Sequence, residues 1–135
     1  MTEAVDVPPT KDPVRDLYLT TLMHIMSLSE QNEVSITLMV GGTTVTGSLI
    51  GHDAWLKAWK EGIASSGGED AQKVLGVLGA LDEEVPDDPD VPQPNFIHLR
   101  DARVFPGGTE IRLNLWRARV TDVQGWSTTT LVHSA

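Results

Sequence analysis

Residues 34–50 read Val-Ser-Ile-Thr-Leu-Met-Val-Gly-Gly-Thr-Thr-Val-Thr-Gly-Ser-Leu-Ile. Val34, Ile36, Leu38 and Val40 alternate with Ser35, Thr37 and Met39, the period-two pattern of a half-buried strand. Gly41 and Gly42 supply the positive φ angles of a tight hairpin turn. The run from residue 43, rich in β-branched side chains, returns as a second strand. Gly47 interrupts it. A glycine weakens a flat strand, so it marks a sharp bend or a close backbone approach, as a small barrel needs. The stretch predicts a bent hairpin over residues 34–52.

Such a hairpin needs further strands or a covering helix to be stable in water. Upstream, Asp12-Pro13 has the form of a capped helix start with proline at the first helical position. Val14, Leu17, Tyr18, Leu22, Ile25 and Met26 then recur at helical spacing. This predicts a helix over 12–31, after a flexible tail over 1–11, with Met23 and Met26 as core filler. Downstream, residues 53–82 change character. Trp55 and Trp59 are four apart and share a helical face. Ser65-Ser66-Gly67-Gly68 reads as a loop, and Ala71, Val74, Leu75, Leu78 and Leu81 form a second helical stripe. Gly76 and Gly79 would let this helix approach a neighbour closely, at some cost in propensity.

Residues 82–94 hold six acids and four prolines, which forbids a packed element and predicts an extended acidic linker over 83–94. The 95–133 segment must return to the hairpin to bury its apolar faces. Residues 96–105 mix apolar and charged side chains with period two, and Pro106-Gly107-Gly108 is a turn. Ile111, Leu113 and Leu115 share one parity while Ala118 and Val120 take the other, which predicts a bulge or bend near Trp116. Gln124-Gly125 is expected to turn the chain into a last strand over 126–132. The result is one α+β domain. It has a small, strongly bent, five-stranded antiparallel sheet or barrel, an N-terminal helix, and a helical insertion between strands 2 and 3.

The chain has 135 residues, enough for one domain that buries roughly two thirds of its unfolded surface. It contains no cysteine, which removes disulfides, thiolate metal sites and thiol nucleophiles and fits a reducing cytoplasm. The first six residues are acidic and lack an apolar segment, so no secretory signal is expected. No apolar run reaches the length that spans a bilayer, so no membrane partner is expected either. A net charge of -9 repels nucleic acid. That charge is unevenly spread. Residues 1–94 carry 16 acidic and 5 basic side chains, whereas residues 95–135 carry 3 acidic and 5 basic.

The segregation suggests self-association. An acidic arm of Asp82, Glu83, Glu84, Asp87, Asp88 and Asp90 on one copy could meet a basic face of Arg100, Arg103, Arg112, Arg117 and Arg119 on another. Each exposed pair is worth only ~0.2–1 kcal/mol, but repeated pairs add through effective concentration. The plainer reading is that these arginines are solvated or satisfied within their own chain. Unpaired edge strands offer a second route to association.

Positive signs of catalysis are lacking. No Gly-x-Ser-x-Gly elbow, phosphate loop or dinucleotide fingerprint occurs. His24, His52, His98 and His133 are scattered, so no metal or other cofactor is expected. His52 beside Asp53 could position an imidazole for acid–base work, but a histidine at a strand end next to a capping aspartate is the plainer account.

Two resemblances accompany these patterns. Gly47-Ser48-Leu49-Ile50-Gly51-His52-Asp53-Ala54-Trp55-Leu56 resembles the first Sm motif, and residues 97–104 look like the third strand of such barrels. The Sm function does not follow. Lys57 stands where that pattern has its base-contacting asparagine, and no Arg-Gly pair precedes the last strand. An Sm-like RNA-binding module is therefore the alternative rather than the main reading. The closer resemblance is to the gas vesicle accessory protein U family. Ser35-Ile36-Thr37-Leu38, Val45-Thr46-Gly47-Ser48, Phe96-Ile97-His98-Leu99-Arg100 and Trp116-Arg117-Ala118-Arg119-Val120, followed by Gly125-Trp126, carry it. This resemblance implies a non-catalytic role in gas vesicle assembly or clustering. Its expected partners are the vesicle shell, other gas vesicle proteins and further copies of the chain.

Overall fold

A computed structural model describes residues 16–84 and 96–128. The elements run α1 (Leu17–Ser27), β1 (Val34–Val40), β2 (Thr43–Ile50), α2 (His52–Ser65), α3 (Gly68–Glu84), β3 (Phe96–Phe105), β4 (Ile111–Arg119) and β5 (Val123–Ser127). Five strands form one antiparallel sheet in the order β4-β3-β2-β1-β5. The two β-forming pieces of the chain do fold together, since β2 pairs with β3 and β1 pairs with β5.

The strand order dictates curvature. β4 and β5 are consecutive in sequence yet occupy opposite edges, joined by one 3-10 turn at Val120–Asp122. Laid flat at ~4.8 Å per strand, the edges would lie ~19 Å apart. The chain from Arg119 to Val123 reaches at most ~14 Å. The sheet is therefore strongly curled. No ladder joins β4 to β5 among the described residues, so the sheet is open and does not close into a barrel.

Gly47 permits the bend. A Cβ there would lie 3.0 Å from the Arg100 carbonyl oxygen and 3.2 Å from the Ala102 Cα. The β2–β3 register slips at this point, and Asp101 opposite takes a left-handed φ of 53°. The irregularity thus sits in β3 and not near Trp116. β4 keeps one continuous register with β3, its Trp116 and Ala118 packing on the core while Ile111 and Leu113 stay exposed. The hairpin turn is as expected, with Gly41 and Gly42 at φ 58° and 79°. Gln124 and Gly125 lie inside β5 and do not turn the chain. Gly125 pairs with Met39, and the Val120–Asp122 turn does the reversing.

The core lies between the curled sheet and α1. It is built from Leu19, Met23 and Met26 of α1, with Ile36, Leu38, Val45, Leu49, Ile97, Leu99 and Ala102 of the sheet. The helix begins later than the Asp12 cap predicts, and Asp12 itself lies outside the described residues. Asp16 is the observed cap, its Oδ1 accepting from the Tyr18 and Leu19 amides at 3.0 and 3.2 Å. Its other oxygen accepts the Trp126 indole N–H at 2.7 Å, tying the start of α1 to β5. These donors hold the carboxyl below its usual range, the indole most and the backbone amides next. The buried face of α1 runs through Leu19, Met23 and Met26, whereas Leu17, Tyr18 and Ile25 of the expected stripe are exposed.

The insertion is two helices, α2 and α3, as the Trp55/Trp59 pair and the second stripe predict. α3 continues to Glu84, so the acidic linker cannot begin at residue 83. The expected extended segment over 85–94 and the strand end over 129–132 lie outside the described residues, as does the 1–11 tail. A Cβ added at Gly76 or Gly79 would meet nothing within 4 Å, so these glycines serve no close approach among the described residues. No helix among the described residues is long and apolar enough to cross a membrane.

Candidate interaction surface

α2 reaches the outer face of the sheet because Gly51 lets the chain pass against α1. A Cβ at Gly51 would meet the Ser27 Cα at 2.7 Å and the Met26 carbonyl oxygen at 2.9 Å. The helix then lays Trp55 over β3. Trp55 stacks on Trp59 at 5.5 Å between ring centroids and tilts against His98 at 5.3 Å. Arg117 covers the cluster from β4, its guanidinium carbon 3.9 Å from the Phe96 ring centroid and 5.5 Å from that of Trp55. Both contacts are in the range of cation–π attraction.

His98 is the buried polar member of this cluster. Its Nε2 lies 3.3 Å from His52 Nδ1, a hydrogen bond that the two tautomers share. Burial pushes the His98 imidazole down to about 3, with His52 and Arg117 adding repulsion of further positive charge. The ring is neutral and acts as a packing group. His52 faces His98 through this contact. The hollow beside His52 and His98 holds only about 40 Å³, between Met23, Ser27 and Phe96. Asp53 lines a separate hollow near Ser29 and Glu30, so no described cavity encloses both groups. No cluster of three or more metal-ligating side chains occurs among the described residues.

An apolar groove of about 570 Å³ lies between α2 and the outer face of β3 and β4. Trp59 and Ile63 form one wall, Leu115 and Asn114 the other, with Arg100 and Asp101 at one side. The sequence singles out Trp59 as a helical-face residue. It does not reveal the groove, because the walls come from segments some fifty residues apart.

The five arginines singled out from the sequence are not one free basic face. Arg100 pairs with Glu33, Arg112 with Glu110 at 2.6 Å, and Arg119 with Asp122 at 3.2 Å. Arg117 lies on the aromatic rings. Arg103 stands opposite Arg112 in the β3–β4 ladder, a like-charge neighbour that costs stability. Glu110 between them is held below the usual carboxylate range, chiefly by its hydrogen bond from Arg112, with a further pull from Arg103. Of the acidic partners, Asp82, Glu83 and Glu84 end α3, and Asp87, Asp88 and Asp90 lie outside the described residues.

The described residues form an α+β fold, a curled five-stranded antiparallel sheet with a two-helix insertion and an apolar groove between them. The family model described as gas vesicle protein GvpU-like matches residues 16–131, which spans every described element. The chain belongs to that family. Comparison with curated proteins and with solved structures returned no match.

Proposed function

We propose that the chain is a non-catalytic accessory factor in gas vesicle assembly or clustering, acting through protein binding and self-association. The family match over residues 16–131 carries this reading, because it covers both halves of the sheet and the insertion. On this reading the protein works in the cytoplasm at the vesicle surface, with shell or other gas vesicle proteins as its partners. A shell presents the same protein surface many times, so weak contacts repeated along it suffice for attachment. A net charge of -9 argues against the RNA-binding alternative.

The direct test mixes purified chain with intact gas vesicles and separates the floating vesicles by centrifugation. Co-flotation at low salt is expected. Absence of the chain from the vesicle fraction at every ionic strength would remove the proposal. Retention on an oligonucleotide column at low salt would move the reading to the RNA-binding alternative.

A further inference from the structure

α3 and the groove are complementary surfaces of one chain that do not meet within it. At 100° per residue, Val77, Leu81 and Val74 fall on one side of α3, and Leu78, Ala71 and Leu75 continue the same apolar arc. That arc is about 160° wide. Within the chain, α3 packs chiefly on α2. Ala71 is buried there, whereas Val74, Val77 and Leu81 remain exposed, Val77 at 64%. An apolar ridge is thus left uncovered along the helix.

The charges match as the shapes do. α3 carries Glu69, Asp70, Asp82, Glu83 and Glu84 against Lys73 alone. The β3–β4 segment carries Arg100, Arg103, Arg112, Arg117 and Arg119 against Asp101 and Glu110, and with Arg100 and Arg119 held by Glu33 and Asp122 the surplus positive charge lies at Arg103 and Arg112. The Arg103–Arg112 neighbours, sharing one carboxylate in Glu110, lie beyond the groove wall on the same two strands, one residue pair (Ala102 and Leu113) further along. We infer that the groove between α2 and the β3–β4 face takes the α3 helix of a second copy of this chain. The Val74–Val77–Leu81 ridge would seat against Trp59, Ile63 and Leu115, and one acidic end of α3 would lie near Arg103 and Arg112. This inference rests on the self-association part of the proposed function and names its surface.

The chain has no cysteine, so introduced thiols report proximity without interference. Val77→Cys and Leu115→Cys proteins, mixed at ~10 µM under mild oxidation, should form the mixed disulfide about a hundredfold faster than undocked thiols at that concentration, given a docked effective concentration near ~1 mM, and faster than Gln72→Cys mixed with Leu115→Cys. Gln72 lies on the same helix away from the ridge. Sedimentation velocity should show association of the unmodified chain and a monomer for Val77→Glu, and at concentrations where both are monomeric the two melting curves should coincide. Equal crosslinking rates for the two pairs would overturn the inference. So would a Val77→Cys homodimer that outpaces the mixed one, or an unmodified chain that stays monomeric at ~0.5 mM. Loss of vesicle co-flotation on Leu115→Glu in a monomeric chain would give the groove to a vesicle protein and overturn it too. Vesicle binding is read apart from association. A monomer that still floats with vesicles keeps the accessory role and removes this interface, whereas α3-dependent association without vesicle binding does the reverse.

Discussion

The curled sheet with α1 and the α2–α3 hairpin use apolar residues in opposite ways. Every member of the main core cluster comes from α1 or the strands, and none from α2 or α3. The hairpin buries Trp55 and Ala71 but exposes Val74, Val77 and Leu81. Helical periodicity is as clear in α3 as in α1. The difference is whether the rest of the chain supplies a second surface. A stripe that finds one stabilises the fold, and a stripe that finds none among the described residues stays exposed.

Truncation separates the two regions most sharply. Leu99→Ala, fully buried in the sheet, should cost about 2–5 kcal/mol in a urea unfolding series. Loss of less than ~1 kcal/mol would mean the sheet is not the stable unit. Gly51→Ala tests the seam between the regions. Its Cβ would press on the α1 backbone, so a penalty of about 1–3 kcal/mol is expected.

The seam also titrates. His98 is neutral in the fold near pH 6.5 and protonates readily once unfolded, since its folded value lies at about 3. Its contribution is complete above pH ~6.5 and is lost as pH falls toward 3. Between pH 6.5 and 5 the loss should be on the order of 2 kcal/mol. His98→Leu should flatten that slope, and an unchanged slope would reassign the pH dependence. Smallest of all, Val77→Ala should shift unfolding by less than ~0.5 kcal/mol. Amide exchange should follow the same order, with β2 and β3 slow and α3 fast.

The strand half of this contrast is legible in the sequence, and the groove is not. Alternation in residues 34–40, the Gly41-Gly42 turn and the close approach at Gly47 are local signals, and each holds. The buried face of α1 is ambiguous in the sequence because Leu17, Tyr18, Leu22 and Ile25 offer an equally apolar stripe, and only the sheet decides which side packs. The turn expected at Gln124-Gly125 fails because the neighbouring β1 makes Gly125 a ladder residue. The arginines look like one basic face because all five fall in the last third of the chain. Glu110 and Asp122 are sequence neighbours of the arginines they hold, whereas Glu33 meets Arg100 only through the fold. The groove needs two distant segments at once, which no window along the chain contains.

The ladder that pairs Ile50 with His98 means that the chain leaves the sheet and re-enters it at almost the same point. Everything between β2 and β3 is therefore a closed excursion whose entropic penalty grows only logarithmically with length, by ~0.6 kcal/mol per doubling. α2 is held to the sheet by Trp55 and Gly51, but α3 is anchored far less. Beyond Ser65 the fold can lengthen, shorten or exchange its excursion almost without penalty to the sheet, so this is where a graft carrying a new recognition helix should be accepted.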